Sequence, residues 1–312
     1  MSSDSAAPAM DETPRRAHSL AEMAQIQGRM MNPEGFIASI KAYRPRPTDV
    51  IITPFGKCGT TWLQQTFHTL RTRGDMDFDD ISRVVPWIET AAAVELDIEA
   101  PQRAEPRGFK SHMAYDVIPK GAKYVVSLRD PKDQMVSMFK FMEGWFIEPG
   151  TIPIAEFAES SLARLGKGQD YYHHLVTWWE QRDNPDVLLF SYEQMSADPE
   201  RSIRRLASFC GIALDDELLA LTLERSSLQY MLQHKDRFDD AMMRAVSERK
   251  CNLPPGSDSS KVRKGGVGGH KAELPEAIAA KIDAAWREHV TPKIGFADYA
   301  ALEAALRARH AA

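Results

Sequence analysis

The sequence predicts an α/β fold: a three-layer sandwich with a central parallel β-sheet flanked by helices. Four short apolar runs alternate with helical periodicities, the pattern of βαβ units. The third run, Tyr124-Val125-Val126-Ser127-Leu128, is nearly continuous in apolar character, as a strand buried on both faces requires. The 312 residues show neither an internal repeat nor a long linker, and 43% of them are hydrophobic, enough for one sizeable core.

Residues 1 to about 18 are small and polar and include proline, so they read as a disordered tail. A short helix is expected over 33–41, ahead of Pro45 and Pro47. The β-branched run Val50-Ile51-Ile52-Thr53 is the first strand and ends at Pro54. A helix over 60–73 presents Trp62, Leu63, Thr66, Phe67 and Leu70 on one face and stops at Gly74. Residues 108–111 form the second strand and 124–128 the third, followed by a helix over about 132–142. Another helix spans 171–182, closed by Asn184-Pro185, and 187–190 is the fourth strand. Asp198 is then an N-cap, Pro199 the first helical residue, and Gly211 the stop after a helix reaching Cys210. The expected division is a tail and short helix over 1–45, one domain over 46–304 and a C-terminal tail over 305–312.

Composition excludes several classes. Lys and Arg number 39 against 44 Asp and Glu, a net charge of −5, which argues against general nucleic-acid binding. An anion site must therefore be a local concentration of cations. Cys58, Cys210 and Cys251 have no framework spacing, and no Cys/His cluster has zinc-ligand spacing, so no metal is expected. The first 20 residues lack the apolar stretch of a signal peptide, and no run approaches the about 18 apolar residues of a membrane span. A cytoplasmic protein is expected.

Thr53-Pro54-Phe55-Gly56-Lys57-Cys58-Gly59-Thr60-Thr61-Trp62 joins a buried strand to a helix. Glycines let the backbone approach an anion, and N–H groups at the helix start point at it. The plain alternative is a tight turn capped by threonine. The loop is not a Walker A loop: with Gly56-Lys57 as its Gly-Lys, the first glycine falls at Ile51 and the metal-holding Ser/Thr at Cys58.

In an open α/β sheet, ligands bind beyond the carboxyl ends of the strands. Lys57 and Thr60-Thr61 follow the first strand, His112 the second, Arg129 the third and Tyr192 the fourth. Four such placements at one sheet edge point to a functional crevice. Arg129, with Ser137 in the following helix, can hold a phosphate by charge and hydroxyl; alone, Arg129-Asp130 also reads as a surface pair. Residues 261–271 carry four Lys/Arg, four glycines and no acid. Such a loop can close over an anion or be a solvated linker.

Together these residues resemble the cytosolic sulfotransferase family, from about 49 to 300. Residues 54–62 resemble its 5′-phosphosulfate loop and 129–137 its 3′-phosphate motif. Phe190-Ser191-Tyr192-Glu193-Gln194-Met195 is similar to its Tyr-Glu-Asp-Met segment, and Arg263-Lys264-Gly265-Gly266-Val267-Gly268 to its Arg-Lys-Gly-x-x-Gly loop. The resemblance implies a P-loop-like fold and 3′-phosphoadenosine 5′-phosphosulfate (PAPS; product PAP) as donor, with no metal. It implies that Lys57, Cys58, Gly59, Thr60 and Thr61 hold the 5′-phosphosulfate, with Trp62 flanking the adenine. Arg129, Ser137, Arg263, Lys264 and Gly265 then hold the 3′-phosphate, and Tyr192 and Ser226 meet the adenine edge. His112 falls at the family's catalytic base and Lys110 at its supporting lysine. Leu228 stands where an adenine-stacking Phe is common, and Gly269-His270 where the family has Asp-Trp. Ala272-Glu273-Leu274-Pro275-Glu276 replaces a Thr-Val dimer motif, so a monomer or weak homodimer is expected.

The mechanism so implied is in-line attack of an acceptor hydroxyl on sulfur, with neutral His112 taking the proton and Lys57 stabilising the leaving oxygen. Trp87, Phe139, Phe141, Trp145 and Phe146 can line a pocket for a small hydrophobic alcohol or phenol, Phe139 and Phe146 belonging partly to the core. Two other readings stand beside this one. A nucleotide-dependent kinase would require Mg²⁺ and a Ser/Thr after Lys57; a non-catalytic binding module would not need His112.

Overall fold

The four apolar runs pair into one parallel sheet of order β2-β1-β3-β4. The computed structural model describes residues 13–30, 33–259 and 261–311. Helices α1 (Leu20–Met30) and α2 (Pro33–Ala42) precede strand β1 (Val50–Ile52). Helices α3 (Thr60–Thr72) and α4 (Ile81–Val84) lead to strands β2 (Gly108–Lys110) and β3 (Lys123–Leu128). Helices α5 (Pro131–Trp145), α6 (Ile154–Leu162) and α7 (Tyr171–Trp179) lead to strand β4 (Val187–Ser191). The remainder is helical: α8 (Tyr192–Ala197), α9 (Pro199–Cys210), α10 (Asp216–Arg225), α11 (Leu228–Gln233) and α12 (Ala241–Cys251). After the basic glycine loop come α13 (His270–Glu273), α14 (Glu276–His289), α15 (Thr291–Ile294) and α16 (Tyr299–Ala311).

Alternation along the strands builds the three layers. Ile51, Phe109, Tyr124, Val126 and Leu189 point to one face, where Trp178 and Trp286 complete a core. Val50, Ile52, Val125, Leu188 and Phe190 point to the other, against Leu63, Phe67 and Leu206. The register sets Ile52 level with Lys110 and Val125, while β3 runs on to pair Leu128 with Ser191. The chain leaves β1 toward β2 on one side and returns to β3 on the other. The β1 and β3 ends therefore flank the crevice at which such sheets bind ligands.

Local punctuation sets most boundaries. Asp198 caps α9 by accepting from the Arg201 N–H, Pro199 opens the helix, and Gly211 closes it in the left-handed conformation. The helix expected to run to Arg182 ends at Trp179, because Gln181 and Arg182 donate three residues back, not four. Of the stretch 1–18 read as a tail, residues 1–12 lie outside the described residues. Ala17, however, is buried and exchanges backbone hydrogen bonds with Phe146 and Glu148, and α1 follows. Residue 312 also lies outside them, while α16 carries helix through 305–311 and buries Leu306.

Candidate active site

The crevice is a cleft of about 710 Å³ over the carboxyl ends of the strands. Lys57, Gly59, Thr60, Thr61, Trp62, Lys110, His112, Arg129, Ser137, Tyr192, Ser226, Leu228, Arg263, Lys264 and Gly265 all line it. Cys58 does not. Its side chain is fully buried in the core, its N–H donates to the Phe55 carbonyl, and its own carbonyl accepts the Ser127 hydroxyl. The residue named in the sequence as a cofactor contact is thus a structural post of the loop.

The loop reverses sharply into α3. Lys57 and Gly59 both take left-handed backbone, with φ of 70° and 93°. Gly59 is needed on two grounds. A side chain strains that conformation, and a Cβ there would lie 3.0 Å from Tyr192 Cδ2 and 3.1 Å from Met195 Cε. The first N–H groups of α3 have no acceptor within the helix, and no side chain caps it. Thr60 Oγ1 and Arg129 Nε are buried without a hydrogen-bond partner among the described residues. Unpaired donors of this kind around a cation pair fit the oxygens of a phosphate or sulfate.

Arg129 joins the two flanks of the crevice. It donates to the carbonyls of Lys57 at 2.8 Å and Gly266 at 3.1 Å, and its guanidinium lies 4.2 Å from the centre of the Tyr192 ring. Glu193 braces this side by accepting from the Asp130 N–H at 3.0 Å and the Tyr299 hydroxyl at 2.6 Å. Trp62 donates its ring N–H to the Ser226 carbonyl at 2.8 Å. The hydroxyl of Ser226, the residue that caps the end of α10, donates to the Thr222 carbonyl, so toward the cleft it can only accept.

The basic glycine loop is docked over the cleft. Asp133, in α5, accepts from the N–H groups of Gly268 at 2.6 Å and His270 at 2.9 Å, and faces His270 Nδ1 at 2.8 Å. His270, of the Gly269-His270 pair expected from the sequence to alter this loop, is therefore the loop's latch. Arg263 and Lys264 lie 3.8 Å and 3.3 Å from Glu273. Leu228 packs under Gly265: a Cβ on Gly265 would meet Leu228 Cδ2 at 2.9 Å, and its φ of 61° also favours glycine.

His112 stands at the turn after β2. Its Nδ1 is 2.7 Å from the Pro54 carbonyl oxygen; a carbonyl only accepts, so Nδ1 carries the proton and Nε2 keeps its lone pair. Burial, assisted by the charge of Lys110, pushes its pKa down to about 3, so the ring is neutral at physiological pH. Its N–H donates to Glu89 Oε1 at 2.7 Å, and that oxygen also accepts from the Ser111 hydroxyl at 3.1 Å. Burial pushes Lys57 down to about 7 and Lys110 down to about 8. Lys57 Nζ lies 4.5 Å from the Phe141 ring centre, and Lys110 Nζ lies 3.8 Å from that of Trp87.

Trp87 and Phe141 line the cleft with Met138 and Met142, and the Trp87 ring is 5.1 Å from His112. Phe139, Trp145 and Phe146 do not line it; they are buried in a separate core cluster. For Trp145 this corrects the sequence reading: its ring N–H donates to Ser247 at 2.9 Å and its face stacks on Phe146. Two residues absent from the sequence reading, Glu89 and Asp240, also belong here, together with Lys261, which the sequence placed only in the basic glycine loop. Glu89 holds the His112 backbone, while Asp240 and Lys261 line the cleft beside Lys110.

Comparison with known proteins identifies the family and the fold. The family model described as sulfotransferase domain matches residues 47–293. The chain is 25% identical over 283 residues to human sulfotransferase 1C2, covering 85% of this chain and 92% of that protein. It is 26% identical over 255 residues to bovine (Bos taurus) sulfotransferase 1E1, covering 78% and 84%. Among solved structures, retinol dehydratase in complex with androsterone and the inactive cofactor PAP superposes with a TM-score of 0.68 at 18% identity, covering 90% of this chain and 96% of that one. Mouse sulfotransferase SULT7A1 complexed with PAP superposes with a TM-score of 0.65 at 22% identity, covering 90% and 95%. Among the described residues no helix is long and apolar enough to cross a membrane.

Proposed function

Because the chain belongs to the sulfotransferase domain family, we propose that it moves the sulfuryl group of PAPS to the hydroxyl of a small, hydrophobic alcohol or phenol. The observation that carries the chemistry is the locked tautomer of His112: with Nδ1–H held by the Pro54 carbonyl, Nε2 is a neutral acceptor lining the same cleft as the phosphate loop. The acceptor oxygen forms a bond to sulfur as the bond from sulfur to the 5′-phosphate oxygen breaks. Nε2 takes the hydroxyl proton, and the electron pair of the broken bond leaves on the phosphate oxygen. Lys57 meets that growing charge. An anion beside it restores full protonation of an ammonium that burial, with the neighbouring charges of Lys261, Arg129 and Lys110, holds near pH 7.

The donor's two anionic ends have counterparts on the two flanks of the crevice. The α3 N-terminus with Lys57, Thr60 and Thr61 suits the phosphosulfate; Arg129, Ser137, Arg263, Lys264 and the Gly265 backbone suit the 3′-phosphate. Trp62, Tyr192, Ser226 and Leu228 remain for the adenine. Trp87 and Phe141 offer apolar faces beside His112 and Lys57, which supports an aromatic or otherwise hydrophobic acceptor.

The test is His112→Ala. Sulfation of a phenol panel falls by about a hundredfold or more, the usual worth of a general base, while PAP affinity by calorimetry stays near that of the parent. Loss of PAP binding in parallel with turnover would remove His112 from the role of base.

A further inference from the structure

We propose that Asp240 is a positioning residue for the transfer step, clamping Lys110 of the catalytic centre and Lys261 of the closing loop into one buried ion cluster. The proposal rests on the sulfotransferase reading above. Asp240 Oδ1 lies 3.5 Å from Lys110 Nζ and 2.5 Å from Lys261 Nζ, and the three side chains are only 4%, 1% and 9% exposed. The carboxylate is aimed by its backbone: Asp240 is left-handed (φ 49°) at the start of α12, where the neighbouring Met242 N–H donates to Asp80 at 3.0 Å.

A buried ion pair contributes little net stability, but removing its carboxylate leaves charge uncompensated. A buried cluster in which Asp240 pairs with both lysines, with Asp80 adding its charge from farther off, is therefore a costly arrangement for stability alone. What it achieves is placement. The basic glycine loop is held at both ends by buried carboxylates: Asp133 takes Gly268 and His270, and Asp240 takes Lys261. Only the second anchor also touches a catalytic lysine. Docking of the loop that carries Arg263 and Lys264 is thereby joined to the position of Lys110 over Trp87.

The linkage has a sign that can be measured. The charged groups acting on Lys110 are Asp240, Lys261 and Asp80, and Lys110 in turn acts on His112 and Lys57. Burial lowers Lys110 to about 8, Asp240 opposes that shift and Lys261 adds to it. Asp240→Asn therefore moves Lys110 titration to lower pH, and Lys261→Met moves it to higher pH.

The experiment is competitive acetylation of the full-length protein with acetic anhydride at a series of pH values, read at Lys110 by peptide mass spectrometry. PAP affinity and the kcat of phenol sulfation are measured in parallel. The expected result is opposite shifts in the two variants, with kcat of Asp240→Asn about tenfold lower and its loop cut faster by trypsin at Arg263 and Lys264. Lys110 titrating alike in all three proteins overturns the clamp. Opposite shifts with unchanged kcat overturn the positioning role. If Asp240→Asn fails to fold, Lys261→Met decides: a shift to higher pH supports the clamp, and no shift overturns it. Failure of the parent to bind PAP would refute the sulfotransferase reading separately, because the acetylation readout needs neither donor nor acceptor.

Discussion

Alanine at Gly59 attacks the phosphate loop at its tightest point. At φ 93° an L-residue costs about 1–2 kcal/mol, whereas glycine is at ease there. The new Cβ would also lie 3.0 Å from Tyr192 Cδ2, 3.1 Å from Met195 Cε and 3.5 Å from Ser127 Oγ. The first two contacts are tighter than most in a packed core, so Tyr192 and Met195 must give by a few tenths of an ångström, and relief adds about 1–3 kcal/mol of overpacking. The Tyr192 ring has little freedom to yield, because the Arg129 guanidinium stacks on it at 4.2 Å. If the loop keeps its shape, the protein loses at least about 2 kcal/mol of stability; if it relaxes, the α3 N–H groups leave the anion. Even the lower figure corresponds to about 30-fold in PAP affinity if it falls on binding. Calorimetric titration with PAP and thermal melts of the same preparations separate the two routes. Gly28→Ala, in α1 and outside the cleft, is the control, since nothing lies within 4 Å of its Cβ position. Gly59→Ala matching the parent in both PAP affinity and melting temperature would refute the account of the loop.

Two further outcomes follow from buried charge. Lys57 is depressed to about 7, so near pH 8 it is largely neutral in the free protein and becomes charged beside an anion. PAP binding at that pH therefore takes up protons and weakens as pH rises; calorimetry in buffers of different ionisation enthalpy checks this, and zero uptake contradicts it. Asp49 accepts from Arg107 at 2.9 Å and 2.7 Å and from the Tyr43 hydroxyl at 2.8 Å, and both Asp49 and Arg107 are buried. Asp49→Ala leaves that guanidinium short of its main partner and costs about 3–5 kcal/mol; denaturant unfolding reads the loss, and a change under about 1 kcal/mol contradicts it.

What was legible in the sequence was local. The capped start of α9 and its glycine stop are contained within consecutive residues, and β3 announces its double-sided burial by composition. The loop, His112, Arg129 and Tyr192 were found because strand ends in a parallel sheet share one edge, which makes placement along the chain a statement about space. Contacts set by tertiary approach were not legible. Lys110, Asp240 and Lys261 are far apart in the chain, and no spacing rule brings them together. Ala17 carries no sign that it will be buried beside Phe146. Trp145 continues the helical face of Phe141, yet Ser247 and Phe146 draw it into the core. Cys58 lies between two cleft residues, and only the left-handed turns on either side rotate it inward.

The central claim is a cleft that holds a 3′-phosphorylated adenosine nucleotide through protein cations and backbone N–H groups. Its most direct test is calorimetric titration of the purified protein with PAP in EDTA, with ATP as competitor. The account predicts micromolar binding without metal that excess ATP does not displace. Binding of ATP alone, and only once Mg²⁺ is restored, would contradict it and make the cleft that of a nucleotide-dependent kinase.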